Sequence, residues 1–245
     1  MLNIVHSTFR SLLVGKIVST NVVFGEKLWD RKFCIYTFLN PVSYLDALMH
    51  TDLFGRFDGI FADGSLLVAA IKMLYGKKVA RRSFDMTSLA PELFEYAEKE
   101  GKSLYFVASK QEEVESALEI FKERYPNLIV AGYRNGYFSS EEEENKEATY
   151  ITQLNPDFLI VGMGALIQEK FLLKVKGAGF KGIGFTCGGF IHQTAKNEID
   201  YYPQWVDRMN VRFLYRMYKE PHTRMRYVKA GLIFPARFIW ERFFG

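Results

Sequence analysis

The sequence contains few of the residues that build disulfide frameworks or metal centres. Its 245 residues include two cysteines, Cys34 and Cys187, and four histidines, and none of them has the spacing of metal ligands. An Asp-x-Asp pair, which could hold a metal ion on a diphosphate, is also missing. We therefore expect two reduced thiols, no cofactor and no bound metal ion.

Long apolar runs are missing as well. No segment reaches the roughly 18 consecutive apolar residues that a transmembrane helix requires. At the N-terminus, Arg10 and Lys16 interrupt the apolar residues of the first 23 positions, and no small-residue cleavage site follows them. The sequence therefore predicts a cytoplasmic protein without a signal peptide, which could still attach to a membrane surface.

The common nucleotide-binding and hydrolase motifs are incomplete or absent. Gly162 and Gly164 begin a dinucleotide-binding fingerprint, but Ile167 stands where its third glycine belongs. Gly101-Lys102-Ser103 lacks the upstream glycine of a phosphate-binding P-loop, and no Gly-x-Ser-x-Gly segment occurs. The sequence therefore contains no complete nucleotide-binding motif among these.

Short apolar segments alternate with amphipathic segments along most of the chain. The chain is 49% hydrophobic, which suffices for one substantial core. Apolar strands separated by helices favour an α/β fold, with a mostly parallel sheet covered by helices on both faces. The predicted strands are Phe33–Leu39, Asp58–Phe61, Ser103–Ser109, Leu128–Ala131, Asp157–Val161 and Lys181–Phe185, and the predicted helices include Ser43–Met49, Leu66–Tyr75, Leu89–Glu100 and Gln111–Tyr125.

Open parallel sheets bind their ligands beyond the carboxyl ends of the strands. The residues that directly follow the predicted strands are therefore the candidates for a binding site. They are Asn40, Asp63-Gly64, Ser109, Gly132–Asn135, Gly162–Gly164 and Thr186–Gly189.

Positive charge is concentrated at the C-terminal end. Residues 208–245 hold nine basic residues against Glu220 and Glu241, a net charge of +7, so the first 207 residues carry −3 of the total +4. We therefore divide the chain into a core, residues 1–205, and a basic aromatic appendage, residues 206–245. Such a tail indicates an anionic partner: phosphate groups, anionic lipid or nucleic acid.

The last part of this appendage, Val228–Phe244, mixes large apolar side chains with Lys229, Arg237 and Arg242. This composition is typical of an amphipathic segment that lies on a membrane surface. The same segment could instead pack on the core, or form a contact in a homo-oligomer.

Several short segments, spread over most of the chain, form a pattern in their order and spacing. The segments are Thr37-Phe38-Leu39-Asn40-Pro41, Ala62-Asp63-Gly64, Gly76-Lys77, Arg81-Arg82 with Asp85, Gly132-Tyr133 with Gly136-Tyr137-Phe138, Val161-Gly162-Met163-Gly164-Ala165 with Gln168-Glu169, Pro203-Gln204-Trp205, and Phe213-Leu214-Tyr215-Arg216 with Glu220-Pro221 and Arg226-Tyr227. Taken together, they resemble the WecG/TagA/CpsF glycosyltransferases.

The resemblance implies an inverting transferase with a Rossmann-like core and a C-terminal appendage that completes the site at the membrane. Because an Asp-x-Asp pair is missing, we expect its mechanism to be metal-independent. The resemblance also implies a UDP-sugar donor, of the N-acetylmannosamine, uronic acid or glucose type, and an undecaprenyl-diphosphate-linked acceptor. Arg81 and Arg82 compete for one role in this comparison. The substrate-binding positions are Asn40, Gly64, Arg82, Asp85, Gly136, Gly162, Gly164, Gln168, Arg212, Arg216 and Arg224.

Inverting transfer needs a base that takes a proton from the acceptor hydroxyl, and Asp63 is the candidate. Alternatively, Asp63 caps the helix that follows it, a role for which Ser65 competes. Arg208, Arg212 and Arg216 recur every four residues and could meet the diphosphate together. Two other functions stay open, a non-catalytic nucleotide-sugar-binding domain and a nucleic-acid-binding protein that uses the basic tail.

Overall fold

The computed structural model describes residues 11–197, 206, 212–221 and 224–244. The strands are β1 (Cys34–Leu39), β2 (Gly59–Ala62), β3 (Ser103–Ala108), β4 (Ile129–Arg134), β5 (Phe158–Gly162) and β6 (Ile183–Thr186). The helices are α1 (Leu12–Lys27), α2 (Pro41–Leu48), α3 (Thr51–Gly55), α4 (Ser65–Tyr75), α5 (Leu89–Lys99), α6 (Gln111–Arg124), α7 (Glu141–Leu154), α8 (Ile167–Gly177), α9 (Phe190–Asn197), α10 (Arg212–Lys219) and α11 (Arg224–Phe244).

The strands form one six-stranded sheet in the order β2-β1-β6-β5-β3-β4, and every neighbouring pair is parallel. The predicted α/β class, with a mostly parallel sheet flanked by helices, is therefore confirmed. The six predicted strands are found where the apolar segments place them, except that β4 continues to Arg134. Because all strands run the same way, their carboxyl ends meet at one edge of the sheet.

Core residues cover both faces of the sheet along β1, β2, β3, β5 and β6, which explains why these strands are mostly apolar. The edge strand β4 has no buried residue. Phe106 belongs to the core on one face, and its neighbour Val107 belongs to the core on the other. Phe158 and Leu159 of β5 are divided between the faces in the same way. This alternation follows from the two-residue period of a strand.

Three helices were not expected from the sequence pattern: α1, α3 and α9. Ser11 is the N-cap of helix α1, and its hydroxyl accepts a hydrogen bond from the Val14 amide. Its Lys16, which breaks the apolar pattern, donates from Nζ to the Phe57 carbonyl at 2.6 Å. A tertiary contact thus satisfies the charge that interrupts the apolar residues of this segment.

The long C-terminal helix α11 packs against the core on one side. Phe234 and Phe238 are buried, and both rings contact the Tyr44 ring of α2. Glu241, also buried, accepts hydrogen bonds from Tyr44 at 2.7 Å and from Ser11. Among the residues that the structure describes, no helix has the length and apolar character needed to span a bilayer.

The opposite side of α11 is apolar as well, but it is exposed. Leu232 is 76% exposed and Trp240 is 53% exposed, and Ile239, Phe243 and Phe244 are exposed with them. Both predicted situations, packing on the core and an outward apolar face, are therefore found on different faces of one helix. The division into a core and an appendage stays a prediction.

Candidate active site

A cavity of about 590 Å³ lies at the carboxyl edge of the sheet. Residues that follow β1, β2, β3, β5 and β6 line it, and parts of α9 and α11 close its sides. The predicted catalytic and substrate-binding residues that line it are Asn40, Asp63, Gly64, Asp85, Gly136, Gly162, Gly164 and Gln168. Of the other residues expected from the strand ends, Ser109, Met163 and Thr186–Gly189 line it and Gly132–Asn135 do not.

Asp63 and Asn40 lie side by side on the cavity wall. Leu39 and Ala62 are paired in the β1–β2 register, so the next residue of each strand emerges at the same level. The Asp63 amide donates to the Leu39 carbonyl at 2.8 Å, which fixes this arrangement. Asp63 is half-buried and lines the cavity, which is the placement a general base requires.

Asp63 lies directly before the N-cap position of the helix that follows it. The N-cap of α4 is Gly64, without a side-chain capping hydrogen bond, and Ser65 is the first helical residue. Gly64 has a φ of +115°, a conformation that disfavours every residue with a Cβ. A Cβ at Gly64 would also lie 3.3 Å from Cδ of Pro41. Gly64 thus forms the turn between β2 and α4, and a capping contact by Asp63 stays a prediction.

Asn40 has a structural role besides its place in the cavity. Its Oδ1 accepts hydrogen bonds from the amides of Val42 and Ser43, as the N-cap of α2. Cap formation therefore occupies the oxygen and leaves the amide nitrogen for a ligand. A substrate contact by Asn40 stays a prediction, and the cap explains why this residue type suits the position.

Arg81 and Arg82 lie on different sides of an extended segment that runs along β2. Arg81 forms an isolated bridge with Ala62 and lines the cavity. The side chain of Arg82 instead pairs with Glu92 of α5 at 3.0 Å and is not among the cavity-lining residues. Successive side chains of an extended segment point in opposite directions, which accounts for the separation.

The predicted glycines line the cavity for different reasons. A Cβ at Gly162 would approach the Cys187 sulfur to 2.7 Å and the Gly188 carbonyl to 2.8 Å, so Gly162 serves close packing. Gly164 has a φ of +89°, and a Cβ there would meet nothing within 4 Å. Gly164 therefore leaves backbone exposed beside open space, as an approaching ligand requires.

Buried polar groups form the floor of the cavity. Glu169 accepts hydrogen bonds from Thr37 and from the amide nitrogen of Gln168, both at 2.9 Å. Thr186 donates to Thr37, and Oε1 of Gln168 accepts from the Gly188 amide at 3.1 Å. Burial raises the pKa of Glu169 against the opposing effect of these donors. Gln168 thus ties two cavity loops together, whatever contact it makes with substrate.

The pair His192–Glu113 lies on the cavity wall and was missed by the sequence analysis. Nδ1 of His192 is 2.7 Å from Oε1 of Glu113, and both residues line the cavity. The two residues are 79 positions apart in the sequence. Metal-ligand spacing, the signal used for histidine, cannot find such a pair, because its geometry comes from the packing of α9 against α6.

The predicted arginines of the tail are only partly described. The backbone of α10 includes Arg212 and Arg216, but their side chains lie outside the described residues, as does Arg208. Arg224 is exposed and donates from Nε to the Met217 carbonyl at 2.8 Å, and it is not among the cavity-lining residues.

Among the tail arginines whose side chains the structure describes, Arg226 lies at the cavity. It lines the cavity and lies 3.4 Å from Oδ2 of Asp46 on α2. Within the described part of the lining, Arg226 and Arg81 are the arginines, and the carboxylates are Asp46, Asp63, Asp85, Glu113, Glu169 and Glu220. An anionic ligand would therefore bind beside the two arginines rather than elsewhere in the cavity.

Known proteins resemble this chain over most of its length. The sequence profile of the glycosyl transferase WecG/TagA/CpsF family matches residues 22–245. A Shigella boydii relative, UDP-Gal:alpha-D-GlcNAc-diphosphoundecaprenol beta-1,4-galactosyltransferase, is 33% identical over 207 residues, which are 84% of this chain and 86% of the relative. A Bacillus subtilis relative, N-acetylglucosaminyldiphosphoundecaprenol N-acetyl-beta-D-mannosaminyltransferase, is 28% identical over 197 residues, 78% of this chain and 74% of the relative.

Proposed function

The chain belongs to the WecG/TagA/CpsF family of glycosyltransferases, and we propose that it transfers a hexose from a UDP-sugar to an undecaprenyl-diphosphate-linked saccharide with inversion. The observation that carries the proposal is Asp63, half-buried on the cavity wall beside Asn40. The more similar of the two relatives above uses UDP-galactose by its name, which favours a hexose over an N-acetylhexosamine.

In the proposed reaction, Asp63 takes the proton of the acceptor hydroxyl as its oxygen attacks the anomeric carbon. The bond between that carbon and the diphosphate oxygen breaks, and UDP leaves with the electron pair. Attack from the face opposite the leaving group inverts the configuration. A single carboxylate suffices for this route, because no covalent sugar intermediate forms.

The leaving diphosphate needs positive charge, and we assign it to Arg81 and Arg226 in place of a metal ion. Arg226 reaches Asp46 at 3.4 Å, a long contact that a diphosphate could replace with a shorter, charge-assisted one. Arg226 comes from α11, so the helix that carries the exposed apolar face also supplies a cation to the cavity. Arg212 and Arg216 are proposed to add to this charge.

We further propose that α11 holds the enzyme on the cytoplasmic face of the cell membrane as a peripheral protein. Its exposed face includes Leu232 and Trp240, and the exposed cations Lys229 and Arg237 lie on the same helix. Apolar side chains would enter the interface while each cation near an anionic leaflet adds about 1 kcal/mol. The acceptor lipid lies in the same membrane, so attachment would bring enzyme and acceptor together.

One assay tests the proposed reaction. The full chain is mixed with UDP-galactose, UDP-glucose or UDP-N-acetylmannosamine and with an undecaprenyl-diphosphate-linked N-acetylglucosamine acceptor, and products are followed by mass. We expect an acceptor heavier by one hexose, with UDP released in equal amount. Binding of a UDP-sugar without transfer to any lipid-linked saccharide would contradict the proposal and favour a binding domain.

A further inference from the structure

Helix α4 carries an exposed apolar stripe that the proposed reaction does not use. Leu66 is 47% exposed and Met73 is 76% exposed, and Ala69 between them is also exposed. These positions are three and four residues apart and therefore lie on one face of the helix. The opposite face is core, because Leu67 and Ile71 are fully buried. Single exposed apolar residues are ordinary, whereas a stripe along one helix indicates a contact.

The position of the stripe relates it to the site. Leu66 lines the cavity, only three residues after Asp63, so the stripe begins at the cavity mouth. It then runs about 10 Å along the helix axis to Met73, at 1.5 Å per residue. The helix ends at Gly76, and the exposed lysines Lys72, Lys77 and Lys78 surround this end.

Helix α11 lies against the same end of α4. Nε of Arg242 donates to the Leu74 carbonyl at 3.0 Å, and the Tyr75 and Phe238 rings are 5.7 Å apart. The end of the stripe is therefore close to the helix that we propose to lie on the membrane. A ligand that leaves the cavity along α4 would pass apolar side chains first and cations at the end.

We propose that Leu66, Ala69 and Met73 seat the first part of the acceptor's hydrocarbon chain between the cavity and the bilayer. The inference rests on the proposed function, because it takes a lipid-linked acceptor as the occupant. A hydrocarbon chain fits a stripe without polar side chains, and Lys72, Lys77 and Lys78 complement anionic headgroups where the chain enters the membrane.

The test compares two acceptors that differ only in their chains. Both carry the same saccharide diphosphate, one on undecaprenol in detergent micelles, the other on an alkyl chain too short to reach Met73. For Met73→Gln we expect the KM for the long-chain acceptor to rise about fivefold and that for the short one to change less than twofold. An equal change in KM for both acceptors, or no change in KM for either, would contradict binding of the hydrocarbon chain by this stripe.

A matched control is Leu154→Gln at the end of α7, where the leucine is 39% exposed. This variant should leave both KM values as in the wild type, and a rise for the long chain alone would contradict the assignment to α4. Binding to anionic vesicles that contain no acceptor is measured in parallel. Met73→Gln should bind them as the wild type does, and a fivefold loss would make the stripe a bilayer contact instead.

Failure of the reaction is distinguishable from failure of the seat. A wild type that transfers no sugar to either acceptor contradicts the proposed function, and the seat falls with it. If the wild type is active on both acceptors and Met73→Gln has the same KM values as the wild type, only the proposed binding of the hydrocarbon chain by α4 is contradicted.

Discussion

Arg82 is paired with Glu92 of α5 at 3.0 Å, while the preceding residue, Arg81, lines the cavity. The sequence offers two neighbouring arginines for one role, and the geometry favours Arg81. The ion pair of Arg82 is largely a surface contact, since 28% of the Arg82 side chain and 48% of the Glu92 side chain are exposed.

The two arginines therefore make a matched pair for mutation. Arg81→Gln should weaken binding of UDP about tenfold or more, because it removes a charge that we assign to the diphosphate. Arg82→Gln should change UDP binding less than twofold and lower the free energy of unfolding by less than about 1 kcal/mol. Titration calorimetry with UDP measures both, and the reverse ranking would assign the role to Arg82.

The burial of Glu241 against the core leads us to predict how the stability of the protein depends on pH. Burial raises the pKa of this carboxyl, and the hydroxyls of Ser11 and Tyr44 and the charge of Arg237 oppose the rise only in part. The native protein then holds the proton to higher pH than the unfolded chain, whose glutamate pKa is 4.5. The contribution of Glu241 to stability therefore decreases as pH rises through the window above 4.5.

Comparison with Glu241→Gln separates the contribution of Glu241 to the pH dependence of stability from that of other groups, such as Glu169, whose pKa is also raised by burial. The amide stays neutral, so the Tm of the wild type minus that of Glu241→Gln should fall between about pH 4 and pH 7. Tyr75, which interacts electrostatically with Glu241 and with Arg242, is present in both proteins. A difference that grows with pH would mean that the donors and Arg237 outweigh burial.

The outward apolar face of α11 leads us to predict which substitutions weaken membrane binding. The double change Leu232→Ser and Trp240→Ser should weaken binding to anionic vesicles at least about tenfold, because both side chains are exposed and available to the interface. Vesicle sedimentation measures the partition. As a control, Tyr133→Ser with Leu154→Ser removes apolar side chains that are 41% and 39% exposed on β4 and α7. Equal losses in the two double variants would contradict docking through α11.

Much of the fold could be predicted from the sequence because it depends on local pattern. Buried strands such as Ser103–Ala108 are continuous apolar runs, and helices such as α6 have regular apolar spacing. The strand order could not be read in this way, since it is set by pairings between distant segments. Helix α1 was missed because Lys16 breaks its pattern, and the Phe57 carbonyl that satisfies Lys16 is 41 residues away.

The residues of the candidate site likewise include some that local pattern predicts and some that it does not. The topology of a parallel sheet was enough to predict that Asn40, Asp63 and Gly164 lie together, because each follows a strand end. Residues that reach the cavity from the sides, His192 and Arg226, depend on how α9 and α11 pack. Sequence spacing carries no information about such packing. The substrate-binding positions predicted from the sequence included Arg224, where the structure has Arg226 at the cavity.

The central claim is that Asp63 is the base of an inverting transfer, and Asp63→Asn tests it most directly. Asparagine keeps the size of the side chain but does not accept the proton, so kcat should fall about 10²- to 10⁴-fold. The Kd for the UDP-sugar should stay within about threefold of the wild type, and the circular dichroism spectrum should not change. Turnover at the wild-type rate by correctly folded Asp63→Asn would contradict the account.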